Sequence, residues 1–159
     1  MNDLRLEELS ATTIVAANSL TLKPGQEQYV EPVSHSIAEA YVNPASAWPR
    51  VVLEGDEVVG FIMGNFDPDN DHEELRSAIL RINVSADAQG HGVGRFAVHA
   101  LAAEARNRGF ERLTVAYEPG EGGPEAFFKR IGFEVIGETP YGEHLAALSI
   151  DSALDGGDE

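Results

Sequence analysis

Three glycines alternate with other residues in the segment 89–94, which reads Gln-Gly-His-Gly-Val-Gly. An apolar run ending at Val84 precedes this segment, and apolar residues at helical spacing follow it from Val93 onward. Glycine lets successive backbone N–H groups converge on one point, and the amino end of a helix adds partial positive charge. The segment is therefore suited to holding a pyrophosphate.

Two familiar phosphate-binding patterns do not fit this segment. It lacks the Gly-x-Gly-x-x-Gly spacing of a dinucleotide-binding turn, and no Lys-Ser/Thr pair follows its last glycine as in a P-loop. A helix entered through a flexible turn, with no ligand, is the alternative interpretation of the same residues. Spacing alone leaves both interpretations open.

Two signatures together resemble one enzyme family. The pattern Gln89-x-x-Gly92-x-Gly94 after a strand resembles the acetyl-CoA pyrophosphate loop of the GNAT N-acetyltransferase superfamily. The segment 123–133, Gly-Pro-Glu-Ala-Phe-Phe-Lys-Arg-Ile-Gly-Phe, resembles its next signature, a short helix that ends at Gly-Phe. Residues 28–31 and the pair Gly137-Glu138 resemble a subgroup of bacterial spermine/spermidine-type acetyltransferases. The resemblance extends from about Leu4 to Ile150.

The resemblance implies a donor site for acetyl-CoA. In this superfamily the loop holds the pyrophosphate through backbone N–H groups, and the pantetheine arm pairs with the end of the preceding strand. A backbone N–H of Asn83 or Val84 would then polarise the thioester carbonyl. His91 has the alternative role of an exposed spacer. The residues expected to bind the cofactor are Ile82, Asn83, Val84, Gln89, Gly90, His91, Gly92, Val93, Gly94, Arg95 and Phe128.

The acid and the base are less clearly indicated, because the chain departs from its relatives. Many members carry a tyrosine four residues before the Gly-Phe as proton donor to the CoA thiolate, and Phe128 stands there. Either the thiolate leaves unassisted or Tyr117, at the end of its strand, donates the proton. The strand acid of other members is replaced by Leu80 and Arg81. The candidate bases are Glu74, Glu73 and Glu31.

The acceptor is expected to be a small-molecule primary amine. The resemblance places one wall of the acceptor pocket in residues 11–42, where Tyr29, Glu31 and Tyr41 are candidates. Arg81 indicates either an anionic acceptor or a salt bridge to a neighbouring acid. The leading hypothesis is direct attack of a polyamine or diamine on acetyl-CoA in a ternary complex. The alternatives are an amino acid, an aminoglycoside-like drug or a peptide N-terminus as acceptor, or a non-catalytic acyl-CoA-binding sensor.

The charge and composition of the chain limit the classes of partner that are expected. The chain has 11 basic and 27 acidic residues, a formal net charge of −16, and no cysteine. A duplex-binding protein needs a basic stripe, so no nucleic-acid partner is expected. A negative field would concentrate polycations, although solubility or an acid-rich proteome explains the charge equally well. The chain shows neither a signal segment nor an apolar run of membrane-spanning length, so no membrane partner and a cytoplasmic location are expected.

The hydrophobic pattern predicts a single α/β domain over residues 1–150, with an acidic, disordered tail over 151–159. The resemblance implies the GNAT acyl-CoA N-acyltransferase fold, a central mixed sheet of six to seven strands flanked by about four helices. Dimerisation is common in the superfamily, so a homodimer is an expectation. No metal is expected, because the acidic loop 66–74 lacks the glycine and downstream glutamate of a calcium-binding loop. Strands are predicted at 3–9, 48–65 (a hairpin), 75–84, 112–117, 133–136 and 144–150, and helices at 11–20, 34–42, 93–108 and 124–131.

Overall fold

The computed structural model describes residues 3–20 and 33–155. Within these ranges, seven strands form one sheet and five helices pack on it. The strands are β1 (Leu4–Glu7), β2 (Ala47–Glu54), β3 (Glu57–Phe66), β4 (Ser77–Val84), β5 (Arg112–Tyr117), β6 (Glu134–Glu138) and β7 (His144–Ser149). The helices are α1 (Ile14–Asn18), α2 (Val33–Val42), α3 (Val93–Asn107), α4 (Glu125–Ile131) and α5 (Ile150–Asp155).

The sheet order is β1-β2-β3-β4-β5-β7-β6. Only β4 and β5 are parallel, and α3 connects them; all other neighbours in the sheet are antiparallel. The predicted mixed sheet of six to seven strands is thus confirmed among the described residues, with one helix more than expected.

Helices cover both faces of the sheet. The larger core lies on the face of α3, α4 and α5, and includes Ile62, Leu101 and Phe128. The smaller core lies under α1 and α2, where Ala17 and Val33 pack near Phe61. Because α3 follows the glycine loop, packing of α3 on the sheet fixes the position of that loop.

The parallel strands β4 and β5 separate soon after they begin to pair. Their paired residues are Ala78 and Ile79 of β4, opposite Thr114 and Val115 of β5. Beyond these pairs β4 continues to Val84 and β5 to Tyr117. The edge of β4 that faces β5 is therefore open at its carboxyl end. We call this space the β4–β5 gap.

A β-bulge lies where the gap begins. Consecutive Met63 and Gly64 of β3 oppose Arg81 and Ile79 of β4, which leaves Leu80 as the extra residue. Leu80 packs against the core under α2, and Arg81 contacts Glu39 of α2. The bulge thus directs two successive side chains to the α2 side of the sheet.

The end of the chain differs from expectation. Residues 151–155 were expected to be disordered, but they form the body of α5. Ile150 and Ala153 are buried in the α3-side core, which explains why a segment of acidic composition is ordered. Residues 156–159 lie outside the described part.

Candidate active site

The glycine loop joins the open end of β4 to α3. Gly90 and Gly92 both have φ of +86°, a conformation that L side chains rarely adopt. A Cβ added at either residue would have no heavy atom within 4 Å. Open space therefore lies beside the loop, and the first N–H groups of α3, which lack partners inside the helix, follow directly.

The polar side chains of the loop brace it. Gln89 donates from Nε2 to the carbonyl oxygen of Val84 at 2.9 Å, which ties the loop to the end of β4. Arg95 reaches the carbonyl oxygen of Arg130 at 3.5 Å, near the end of α4. His91 is exposed. Two of the predicted side chains thus hold neighbouring elements together.

The third glycine has a different role from the first two. A Cβ on Gly94 would lie 2.7 Å from the ring of Phe127, so glycine is what lets α4 approach the first turn of α3. Val93 beside it is buried in the core. Phe127 was not singled out from the sequence, because the contact joins two distant helices.

The residues expected to pair with the pantetheine arm lie along the open edge of β4. Ile82 and Val84 are half-buried and pack against the α3-side core, and Asn83 is buried. Their other edge is paired with β3, where Val84 opposes Gly60. The backbone of this segment is therefore fixed on one side and faces the β4–β5 gap on the other.

Glu73 and Glu74 do not reach this gap. They lie in a 3-10 turn, Glu73–Leu75, just before β4, whereas the gap opens after Ile79. The Glu73 carboxylate is 3.8 Å from Nη2 of Arg112, the first residue of β5. The Glu74 carboxylate is 3.8 Å from Nδ1 of His72. Both acids therefore lie before the amino end of β4, away from the glycine loop at its carboxyl end, and their role as the catalytic base stays a prediction.

Arg81 forms an ion pair with an acid that the sequence analysis did not select. Its Nη2 is 3.3 Å from Oε1 of Glu39 in α2, and Nη1 donates to the carbonyl oxygen of Leu80 at 2.7 Å. The side chains of Arg81 and Glu39 are 22% and 37% exposed. The Nε atom of Arg81 is buried and has no hydrogen-bond partner among the described residues. Of the two alternatives for Arg81, a salt bridge to an acid is present.

Glu39 is placed beside the bulge by tertiary structure alone. It is 42 residues from Arg81 in sequence, and it is an ordinary polar position of an amphipathic helix. No local sequence pattern distinguishes Glu39 as a candidate site residue. Its carboxylate nevertheless borders the open segment of β4, on the helix that the resemblance assigned to the acceptor wall.

Tyr117 is buried beneath α4 at the carboxyl end of β5. Its ring stacks on Phe128, with centroids 5.6 Å apart, and lies edge-on to His144 at 5.7 Å. Burial raises the pKa of Tyr117, and the nearby Glu125 carboxylate raises it further while Lys129 opposes it. The hydroxyl is therefore protonated at neutral pH, the state that a proton donor requires.

Phe128 is a core residue. It is 2% exposed and packs against Tyr117, Phe127 and Phe133. The half-buried aromatic of α4 beside the glycine loop is Phe127, and contact of Phe128 with the cofactor stays a prediction.

The described residues do not bring the remaining acceptor candidates together in one pocket. Tyr29 and Glu31 lie outside the described residues. Tyr41 is 85% exposed at the end of α2. Within residues 3–20 and 33–155, no group of three or more His, Cys, Asp or Glu side chains could hold a metal ion. No helix of these same ranges has the length and hydropathy needed to cross a membrane.

Solved structures share this architecture. A GNAT-family protein from Desulfovibrio desulfuricans superposes with a TM-score of 0.70 at 13% identity, covering 93% of this chain and 99% of the other. The ribosomal-protein-S18-alanine N-acetyltransferase of Escherichia coli gives 0.66 at 19% identity, covering 93% and 94%. PaiA N-acetyltransferase from Thermoplasma acidophilum, solved with coenzyme A, gives 0.65 at 12% identity, covering 92% and 99%. At these identities the likeness establishes the fold.

The sequence itself matches a family model. Among individual curated protein sequences no match was found, so the family model is what places the sequence. Residues 15–133 match the model of the acetyltransferase (GNAT) family, which uses acetyl-CoA. The matched range contains the glycine loop, the β4–β5 gap and α4. The chain therefore belongs to the GNAT family and is an acetyltransferase.

Proposed function

We propose that this protein transfers the acetyl group of acetyl-CoA to a primary amine, by direct attack in a ternary complex. The observation that carries the proposal is the β4–β5 gap with the glycine loop at its end. A thioester needs a polarised carbonyl and a fixed position more than it needs covalent chemistry from the enzyme. Both can come from backbone groups on the open edge of β4.

The donor site follows from the same features. Gly90 and Gly92 leave space beside a backbone whose N–H groups adjoin the amino end of α3, which suits a pyrophosphate. The open edge of β4 suits a pantetheine arm, because its amide groups can replace the missing strand partner. An N–H of Asn83 or Val84 is the proposed donor to the thioester carbonyl. Acetyl-CoA supplies the activated acetyl group as a thioester.

On the acceptor side, Glu39 is the proposed base. Its carboxylate lies beside Arg81 at the start of the gap, and it is partly exposed, so an ammonium group or a bridging water can reach it. Arg81 holds this carboxylate in place through the ion pair. Glu31 stays a prediction for the same role.

A polyamine or diamine is the proposed acceptor. The support is electrostatic: 27 acidic residues against 11 basic ones favour accumulation of multivalent cations. A cytoplasmic location and a homodimer stay predictions from the sequence.

Arg81 favours a second acceptor class. Its side chain is 22% exposed, and its guanidinium N–H groups could donate to a carbonyl or carboxylate of an amino acid or peptide. One structural neighbour, at 19% identity, is named for such chemistry, the ribosomal-protein-S18-alanine N-acetyltransferase of Escherichia coli. This class is the runner-up.

The deciding experiment is release of free CoA thiol from acetyl-CoA with a panel of amines. The panel holds spermidine, spermine, putrescine, amino acids, aminoglycosides and a short peptide. We expect turnover with the polyamines, and a lower kcat/KM for them in Glu39→Gln. Preference for an amino acid or peptide, lost in Arg81→Gln, would replace the polyamine with the second class. Binding of acetyl-CoA in calorimetry without turnover of any amine would contradict the proposed activity.

A further inference from the structure

A cluster of three polar side chains lies on the far side of β5 from the acceptor region. His144, the first residue of β7, is the cross-strand partner of Tyr117, the last residue of β5. Their rings meet edge to face at 64°, with centroids 5.7 Å apart. Glu125, in the first turn of α4, completes the cluster.

His144 is oriented towards this acid. Its Nδ1 is 3.7 Å from Oε2 of Glu125, and both side chains are about one quarter exposed, at 27% and 25%. The Nδ1 atom is buried and has no hydrogen-bond partner among the described residues. A buried ring nitrogen in this state is poised to exchange a proton or to bind a water that does so.

Glu125 is held as a carboxylate. Lys129, one turn along α4, lies 3.1 Å from its Oε2. The hydrogen bond from Lys129 is the main cause that lowers the pKa of Glu125, with smaller contributions from the backbone N–H of Gly120 and from His144. The titratable groups that face Tyr117 are thus Glu125 and Lys129 of α4 and His144 of β7.

Tyr117 stands next to Phe128, the residue at the position where the GNAT resemblance implies a proton donor. Phe128 occupies the position where a hydroxyl would serve the leaving thiolate, and the Tyr117 ring stacks on it at 5.6 Å. Tyr117 also lies beyond the last pair between β4 and β5, at the gap. Tyr117 therefore brings a phenol next to the Phe128 ring, at the end of the strand beneath α4.

We propose that Tyr117 is the proton donor to the departing CoA thiolate and that His144, which lies beside Glu125, is a positioning residue that restores its proton. The proposal rests on the proposed acetyl transfer. When the carbon–sulfur bond breaks, its electron pair goes to sulfur, which takes the hydroxyl proton of Tyr117. The phenolate takes a proton from His144, which regains one from solvent. The proton released by the attacking amine leaves through the acceptor-side base, so protons balance in each turnover.

Kinetics of three variants test the proposal. Tyr117→Phe removes only the hydroxyl, and we expect kcat to fall about 100-fold, the lower range for loss of a general acid, with an unchanged KM for acetyl-CoA. His144→Ala should lower kcat about tenfold, and added imidazole should restore part of it. Because His144 acts through Tyr117, the double variant should be no slower than Tyr117→Phe, and imidazole should not help it. Tyr141→Phe, at a tyrosine 89% exposed, is the matched control and should behave as wild type.

Specific outcomes would overturn the proposal. An unchanged kcat in Tyr117→Phe would refute the assignment of Tyr117 as the proton donor. Losses of kcat that multiply in the double variant would refute the proposal that His144 acts through Tyr117. A titration of tyrosine absorbance needs no turnover: Glu125→Gln should lower the pKa of one tyrosine, and that signal should vanish in Tyr117→Phe. An unshifted titration would refute the contact between Glu125 and Tyr117. A shifted titration in an enzyme that turns over no amine would overturn the proposed function itself.

Discussion

At the scale of single residues, the three glycines of the loop have two different structural roles. Gly90 and Gly92 supply left-handed backbone with open space beside it, whereas Gly94 makes room for the Phe127 ring. The first two residues are therefore the ones that the proposed function assigns to the pyrophosphate, and the third serves the packing of α4 on α3. Substitutions at these positions should separate binding from stability.

We predict that Gly92→Val abolishes or strongly weakens acetyl-CoA binding. A β-branched residue at φ of +86° is strained by about 1–3 kcal/mol, so the loop should change conformation and its N–H groups should no longer converge. The expected loss of affinity in calorimetry is at least about tenfold, or about 1.4 kcal/mol. The protein should stay folded, because Gly92 is exposed and no atom lies within 4 Å of the added Cβ.

The matched control is Gly109→Val, at the other end of α3. Gly109 has φ of +90° and equally open surroundings, so it carries the same backbone strain without adjoining the loop. Gly109→Val should lose a similar free energy of unfolding and keep its affinity for acetyl-CoA. Equal affinity in Gly92→Val and Gly109→Val would contradict the assignment of the loop to the pyrophosphate.

The residues that could be predicted from sequence are those whose function depends on local spacing. The loop follows from glycines at 90, 92 and 94 between a strand and a helix. The pairs Arg81–Glu39 and His144–Glu125 could not be predicted, because each joins elements far apart in the chain. Glu73 and Glu74 are predicted from the sequence as candidate bases, but their place in a turn before β4 depends on where the strands pair, which the sequence does not contain.

At the scale of elements, the position of α3 depends on a close approach to β3. A Cβ on Gly64 would lie 2.6 Å from Cδ1 of Leu101, a fully buried side chain of α3. Glycine in this strand lets the helix sit against the sheet, and the amino end of α3 then adjoins the glycine loop. Packing inside the core thus determines the geometry of the site.

We predict that Gly64→Ala destabilises the fold by about 1–3 kcal/mol, the usual cost of adding a methyl group to a well-packed core. The measurement is the free energy of unfolding from denaturant titration. Gly137→Ala in β6 is the control, because no heavy atom lies within 4 Å of its added Cβ. A Gly64→Ala variant as stable as Gly137→Ala would mean that Leu101 can rotate away without cost.

Element boundaries followed the hydrophobic pattern where that pattern was strong. Strand β5 was predicted with the bounds observed, and α3 within one residue. The central strand was expected from Leu75, but Leu75 ends a 3-10 turn and β4 begins at Ser77. The bulge at Leu80 and the early separation of β4 from β5 depend on pairing between strands, which no single-strand pattern contains.

At the scale of the whole molecule, the net charge of −16 acts with opposite sign on the two proposed substrates, acetyl-CoA and a polyamine. Acetyl-CoA is an anion and is repelled, so under the proposed function its binding depends on short-range contacts with the loop. A polyamine is attracted over longer distances. Salt screens both effects, since the Debye length falls from about 30 Å at 0.01 M to about 10 Å at 0.1 M ionic strength.

We therefore predict that raising NaCl from about 0.01 to 0.1 M, a range over which screening becomes strong, increases the KM for spermidine and decreases the KM for acetyl-CoA. The increase should be largest for spermine, smaller for spermidine and smallest for putrescine, because attraction scales with ligand charge. Steady-state kinetics with each amine at fixed, saturating acetyl-CoA give the first dependence, and the reverse arrangement gives the second. Ionic effects on the enzyme as a whole would move both KM values in the same direction. Opposite movement that scales with amine charge therefore identifies the acidic surface as part of acceptor selection, and a KM for the polyamines that does not respond to salt would reduce that surface to a solubility feature.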